Sequence, residues 1–185
     1  MSLPACLGDI PSRFPYLTAN PTKVGVWRER LSGDKNLKVG VSWTGRADHP
    51  RNDLRSVPIL DLVRALKDIP GVTFYSLQRE HPEQARAAGL VDLTSELDSV
   101  DDTAALVTCL DLVIAVDAMT AHLTGALNIP TWVLVDSNPY YGWGRQGRST
   151  VWYPNARVYR QSKMHCWKEV FEEIRADLIT RAADA

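Results

Sequence analysis

LDLVIAVDAMTAHLTGALN, residues 110–128, runs from an unbroken apolar stretch into a helical pattern, with an acid at the join. Leu112-Val113-Ile114-Ala115-Val116 stops at Asp117, and Met119, His122, Leu123, Ala126 and Leu127 then recur at helical spacing. That is a buried strand entering a helix. In open parallel sheets, ligands sit beyond the carboxyl ends of the strands, where helix N-termini present free N–H groups. Asp117 and His122 are therefore the first candidates for chemistry.

Outward from this unit the pattern repeats. Leu37–Trp43 reads as the first strand and Ser56–Lys67 as a helix, with Ser56 as its N-cap and Ile59, Leu62, Val63 and Leu66 facing inward. Val72–Leu77 is a second strand, His81–Ala88 a short helix and Leu90–Leu93 a weak third strand. Asp101–Thr108 is a helix opened by acids, which suits its dipole. After Leu112–Val116 and the helix Met119–Leu127 come strand Thr131–Val135, a short edge strand at Arg157–Tyr159 and a terminal helix, Trp167–Ala182. Strands alternating with helices at this pace predict an α/β fold, a Rossmann-like, doubly wound parallel sheet with a C-terminal helix. Residues 1–36 read as a linker and a leading helix, Pro21–Leu31, capped by Asn20. Residues 37–185 form the domain.

The 185 residues carry 21 Lys and Arg against 22 Asp and Glu, a net charge of −1, which argues against a dedicated nucleic-acid binder. No apolar run reaches the roughly 20 residues of a membrane span, and no secretory leader is visible, so a cytoplasmic protein is expected. Cys6, Cys109 and Cys166 are widely spaced and form no CxxC pair, so neither a zinc site nor a disulfide framework is indicated. The absence of GxGxxG and GxxxxGK[ST] counts against a nicotinamide dehydrogenase and a P-loop enzyme.

Each candidate has a plainer alternative. The loop Trp43–Ser56 holds Arg46, Arg51 and Arg55, of which Arg55 stands beside the expected helix N-terminus and suits a phosphate. The arginines could instead pair with Asp48 and Asp53. Gln78 and Glu80, past the second strand, could bond a ribose or base edge, or simply open the next helix. Asp117 could be an N-cap, and His122 a histidine satisfied by a carbonyl. A metal site is not expected, because no second ligand falls at metal spacing. The segment DSNPYYGWGRQGRST, residues 136–150, reads as a mobile lid over a ligand such as a nucleotide sugar, or as a docking surface. The many rings beyond residue 139 predict exposed apolar surface, hence homo-oligomerisation or a partner.

The segments SLPACLG, IPSRFPYL, VWRERL, KVGVSWTG, NDLRSVPI, VTFYSLQ, DDTAALVTCLDLVIAVDAMTAHLTGALNIPTWVLV and STVWYPNARVYRQ cover nearly the whole chain in order. Together they resemble the C-terminal half of the family 9 type glycosyltransferases, the ADP-heptose:lipopolysaccharide heptosyltransferase group, in the version that follows tetratricopeptide repeats in bacterial proteins. The resemblance implies a GT-B architecture, with this chain as the domain that grips the nucleotide-sugar donor without a cofactor or required metal. It implies Arg55 and Ser56 near the diphosphate, Gln78 and Glu80 near the nucleoside, and Asp117, Ala118, Met119 and His122 in the D-[TS]-x-x-x-H segment around the diphosphate and sugar, with His122 as the catalytic candidate. Ala118 departs from that segment's Thr or Ser. Tyr140-Tyr141-Gly142-Trp143-Gly144 replaces a segment containing Trp and Asp. The resemblance also implies that an acceptor-binding N-terminal domain, the source of the general base, lies outside these 185 residues. Gly8-Asp9 is a weak substitute for that base, because only a short, Pro-interrupted segment precedes it. Two functions remain: half of a glycosyltransferase, or a non-catalytic docking module that kept the fold.

Overall fold

The computed structural model describes residues 13–184. Cys6 and Gly8-Asp9 therefore lie outside the described residues. The elements run α1 (Pro21–Leu31), β1 (Leu37–Ser42), α2 (Asn52–Arg55), α3 (Ile59–Leu66), β2 (Val72–Ser76), α4 (Pro82–Ala87), β3 (Val91–Asp92), α5 (Val100–Val107), β4 (Leu112–Val116), α6 (Met119–Ala126), β5 (Thr131–Val135), β6 (Ala156–Arg160) and α7 (Lys168–Ala183). Single 3₁₀ turns lie at Thr94–Glu96 and Tyr141–Trp143.

The six strands form one sheet in the order β3-β2-β1-β4-β5-β6, and every neighbouring pair is parallel. The chain winds outward from β1 through β2 to β3, then returns to β4 and winds the other way. The strand order thus reverses between β1 and β4, and the crevice above their carboxyl ends is where such sheets bind ligands.

Both faces of the sheet are covered, which is why its central strands are continuous apolar runs. Val39, Val41, Leu112, Ile114, Val116 and Leu134 pack under α3 and α7 through Leu62, Leu66, Ile174 and Leu178. The alternate residues Val113, Ala115, Val133, Val135 and Val158 pack under α1, α5 and α6 through Trp27, Leu106, Ala121 and Leu123. Gly40 faces this second layer, where a Cβ would overlap the side chains of Leu77 and Leu110. The leading helix α1 is capped by Asn20, whose Oδ1 accepts from the N–H groups of Thr22 and Lys23. Its Val24, Trp27 and Leu31 belong to the same core layer as the residues after position 36.

Several boundaries differ from the sequence reading, each for a local reason. Ser56 does not cap the first crossover helix. It closes α2, while Pro58 takes the N-cap of α3. A proline holds the residue before it out of the helical region, so one helix cannot run through positions 56–58. The helix expected from Asp101 starts at Val100, because Ser99 caps it in a reciprocal capping box with Asp102. β3 shrinks to two residues, and β6 lengthens to five as a full parallel partner of β5. The segment expected to be a lid is anchored: Trp143 in its 3₁₀ turn is 1% exposed, and among the later rings Tyr159 and Trp167 are also buried. Of the Trp and Tyr rings beyond residue 139, the exposed ones are Tyr140 and Tyr141.

Candidate functional site

Two cavities adjoin above the β1/β4 reversal. One, of about 750 Å³, is walled by His49, Arg51, Asp136, Tyr140, Tyr141 and Trp152. The other, of about 340 Å³, lies against Thr44, Gln78, Glu80, Ala118 and Met119. Arg55, Asp117 and His122 line both and form the join.

Asp117 is the organising residue. Its carbonyl accepts a 2.6 Å hydrogen bond from Arg55 Nη1, and its Oδ1 accepts one of 2.7 Å from Trp143 Nε1. It is not the N-cap of α6. Ala118, in extended conformation, holds that position and has no side chain able to cap. The first turn of α6 therefore keeps its positive end uncapped by any side chain, in the wall of the smaller cavity. Beneath it, Thr120 is buried and donates to Ser42 Oγ at 3.4 Å, which ties the helix start to the end of β1.

His122 stands one turn into α6 and faces the join. Its Nδ1 is 2.9 Å from the Tyr153 hydroxyl, and its Nε2 is 3.8 Å from Asp117 Oδ1. Its ring stacks on Trp143, with centroids 5.1 Å apart and planes at 26°. Burial lowers its pKa below the usual histidine value, an effect partly offset by the Asp117 charge. The imidazole is thus neutral at pH 7. Tyr153 is pushed the other way: burial first, then the neighbouring Tyr16 phenol, raises its pKa well above that of a free tyrosine. Tyr153 reaches His122 because position 125 is glycine. A Cβ at Gly125 would lie 2.5 Å from the Tyr153 ring.

The three candidate arginines separate. Only Arg55 reaches the join, braced by Asn52 Oδ1 at 3.3 Å and lying so close to Gly45 that a Cβ there would overlap its guanidinium. Because Arg55 ends the short α2, it does not stand at the N-terminus of the crossover helix, as the sequence suggested. Arg51 is held by buried Asp136, with Nη2 at 2.8 and 3.0 Å from its two oxygens, and also donates to the Asn138 carbonyl at 2.7 Å. Arg46 pairs with Asp48 on the surface.

The remaining candidates divide between support and lining. Ser56 lines neither cavity. Its hydroxyl sits 2.8 Å from Thr44 Oγ1 and donates to the Asn52 carbonyl at 2.6 Å. Gln78 is 5% exposed and acts as a strut. Its Oε1 accepts from Ser42 Oγ and the Thr44 N–H, both at 3.3 Å, while its Nε2 donates to Glu80 Oε2 at 2.7 Å. Glu80 is held at the rim of the smaller cavity. Exposed Met119 and Ala118 line that cavity as well. Among the described residues, no three His, Cys, Asp or Glu side chains converge as a metal site would require. No helix among them is long and apolar enough to cross a membrane.

Trp143, Tyr153, Gly125 and Asn52 were not singled out from the sequence as site residues. The one usable signal is the Trp-Tyr content of the segment after β5, which reads from the sequence as a lid over a ligand or as a docking surface.

Comparison with known proteins adds three similar proteins. No family model matches the chain. It is 27% identical over 184 residues to Protein FlbA of Caulobacter vibrioides, an alignment that covers 94% of this chain and 30% of that protein. Among solved structures, E. coli ADP-heptose lipopolysaccharide heptosyltransferase II superposes with a TM-score of 0.64 at 17% identity, covering 92% of this chain and 55% of the other. The family 9 glycosyl transferase of Veillonella parvula gives a TM-score of 0.61 at 12% identity, covering 91% and 52%. These solved neighbours are of the group that the sequence resembles, and at such identities the likeness is one of fold. The chain spans less than a third of the curated relative and about half of each solved structure, so what it shares with the two transferases is the Rossmann-like fold of one half of their length.

Proposed function

We propose that this chain is the donor-binding domain of a family 9 type glycosyltransferase, holding a nucleotide diphosphate sugar for transfer to an acceptor supplied through a second GT-B domain. The observation that carries this reading is the convergence of Arg55, the uncapped start of α6 and His122 where the two cavities join. A diphosphate at that point would meet a guanidinium, the free N–H groups of a helix terminus and an imidazole. The smaller cavity, with Glu80 at its rim, suits the ribose, and the larger one has room for the sugar.

The chemistry assigned to the chain is the leaving-group half of glycosyl transfer. Breaking the bond between the sugar and the diphosphate builds negative charge on the departing phosphate oxygen. Fixed donors aimed at that oxygen stabilise the charge without reorganising. Arg55 is fixed by Asn52 and the Asp117 carbonyl, and His122 by Tyr153 and Trp143. The base that deprotonates the acceptor hydroxyl belongs to the second domain in this reading. The chain alone is then a binder without turnover, in the cytoplasm where nucleotide sugars are made.

A second reading, a docking module that kept the fold, is favoured by two observations. Ala118 gives the α6 start no hydroxyl, and Tyr140 and Tyr141 stand 50% and 67% exposed at the mouth of the larger cavity. Calorimetric titration of the purified chain with ADP, UDP, GDP and CMP, then with matching nucleotide sugars, separates the two. Saturable binding of a nucleotide diphosphate that is lost in Arg55→Ala and Asp117→Ala supports the donor domain. Binding unchanged in both variants would put the ligand elsewhere, and no binding of any nucleotide would leave the docking module.

A further inference from the structure

We infer that Tyr153 is the positioning residue of His122: its hydroxyl donates into Nδ1, so that the ring carries its single proton on Nε2 and presents that N–H to the join of the two cavities. The inference deepens the donor-domain reading and rests on it for its functional meaning, though not for its structural content.

Four observations lead to it. The Tyr153 hydroxyl lies 2.9 Å from Nδ1, and no backbone carbonyl competes for that nitrogen. On the other side of the ring, Nε2 faces the Asp117 carboxylate at 3.8 Å, which favours a proton on Nε2 over a lone pair. Trp143 stacks on the ring and Tyr153 meets it edge-on, with centroids 5.8 Å apart and planes at 60°, so the imidazole cannot flip without unpacking both. Tyr153 itself is held by Gly125, where only a residue without a Cβ lets its ring lie on α6, and by the edge of Phe14, 6.4 Å away and at 71°.

The titratable and charged groups around His122 agree with this proton arrangement. Asp117 faces it from the end of β4, Arg55 from α2, and Tyr153 from the segment before β6. The hydroxyl proton of Tyr153 is retained at neutral pH, since burial raises its pKa, and the same desolvation keeps His122 neutral. Tyr153 also has the Tyr16 phenol beside it, which can donate to its oxygen and leave its own proton for Nδ1; the group bonded to one ring nitrogen then sets which of the two is protonated. A neutral imidazole whose Nε2–H lies at the join, 3.8 Å from Asp117 Oδ1, can donate to a phosphate oxygen placed there, and it needs no proton from solvent to act. Phe14 and Tyr16 precede α1, and the N–H groups of Tyr16 and Leu17 donate to the Ala126 carbonyl at 3.1 and 3.3 Å. The segment that leads into the domain is thus fastened to the helix that bears His122.

Long-range proton–nitrogen NMR of the imidazole rings, on the uniformly labelled chain without ligand, tests this. The four histidines are assigned with His122→Gln as the blank. The expected result is a neutral His122 in the Nε2–H form, changing to mixed tautomers in Tyr153→Phe, which keeps the ring and removes the hydroxyl. Gly125→Ala is expected to reproduce the change, with the dispersed amide spectrum of each variant reporting that it is folded. A dominant Nδ1–H tautomer in the parent, or an unaltered tautomer in Tyr153→Phe, would overturn the inference. ADP or UDP affinity is then measured across pH 6–8, where Tyr153→Phe is expected to weaken binding about five-fold, the size of one hydrogen bond. If the tautomer is as expected but no nucleotide binds, the donor-domain reading fails and the inference stands. If nucleotide binds but His122 carries its proton on Nδ1, the inference fails alone.

Discussion

Trp143 Nε1 donates a 2.7 Å hydrogen bond to Asp117 Oδ1, so the loop after β5 holds the acid at the end of β4. The same indole supports the face of His122. One side chain that is almost wholly buried therefore fixes two of the three residues at the join of the cavities. Trp143 of this loop is part of the site's frame, whereas Tyr140 and Tyr141 are exposed.

Replacing Trp143 by Phe keeps most of the stacking and removes the N–H. Asp117 Oδ1 then loses the only hydrogen-bond donor it has among the described residues, in a partly buried position. The expected cost is about 1–3 kcal/mol, the range for a lost hydrogen bond to a charged group. Urea unfolding measures it, and a midpoint equal to the parent's would show that the bond contributes nothing to stability.

Gly45→Ala separates binding from folding. The added Cβ would occupy the space of the Arg55 guanidinium, which is the far end of a flexible side chain and can swing away. The expected loss of stability is about 1–2 kcal/mol, because the half-buried Arg55 gives up its hydrogen bonds to Asn52 and the Asp117 carbonyl. Nucleotide affinity should nevertheless fall about as far as in Arg55→Ala, roughly ten-fold or more for a charge-assisted bidentate contact. Calorimetry on both variants decides it: normal binding by Gly45→Ala would mean that the Arg55 position is not needed.

The contrast between the sheet and the site shows what a sequence can carry. Strand Leu112–Val116 was legible because both of its faces are buried, and an unbroken apolar run of five residues is too short for a buried helix. Asp117 and His122 were legible because they follow that run at a fixed chain distance. The support of the site was not, because it comes from residues far along the chain: Tyr153 lies 31 positions from His122, and Trp143 lies 26 from Asp117. No periodicity links such pairs. Gly125 reads as an ordinary small residue in a helix until the Tyr153 ring is seen against it. Ser56 misled for the opposite reason. It has the chemistry of an N-cap, but Pro58 two residues later moves the helix start past it.

Arg51 is expected to be structural where Arg55 is functional. Its bond to Asp136 ties the α2 loop to the end of β5, and Asp136 is only 5% exposed. Arg51→Ala leaves that carboxylate with its N–H from Asn138 and the nearby charge of Arg160, but without its ion pair. The Arg51 side chain is itself partly in solvent, so the cost is discounted from that of a fully buried pair to about 1–2 kcal/mol. Nucleotide affinity should stay within about three-fold of the parent. Thermal unfolding and calorimetry together check this, and a loss of binding as deep as that of Arg55→Ala would move Arg51 into the phosphate contact.

The α1–α5 contact makes a pH prediction with a definite sign. Lys23 on α1 lies 2.8 Å from Asp101 and 2.6 Å from Asp102 on α5. Hydrogen bonding to Lys23 first, and to Ser99 second, lowers the Asp102 pKa from 3.8 to about 2. A carboxylate depressed on folding contributes stability that is present above its unfolded value and is lost as the pH falls through the folded one. Lys23 is raised above 10.5, mainly by its hydrogen bonds to the two aspartates, so its contribution holds below that value and fades as the pH climbs past it. The gap in Tm between the parent and Lys23→Gln should therefore be widest in the neutral range, narrow as the pH falls from about 4 to about 2, and narrow again in strong alkali. Both groups are half-buried and reach solvent, so 0.5 M salt should shrink part of the effect by screening, with a Debye length of about 4 Å. A gap that persists unchanged at pH 2 and in salt would mean that Lys23 stabilises α1 through packing of its methylene stem.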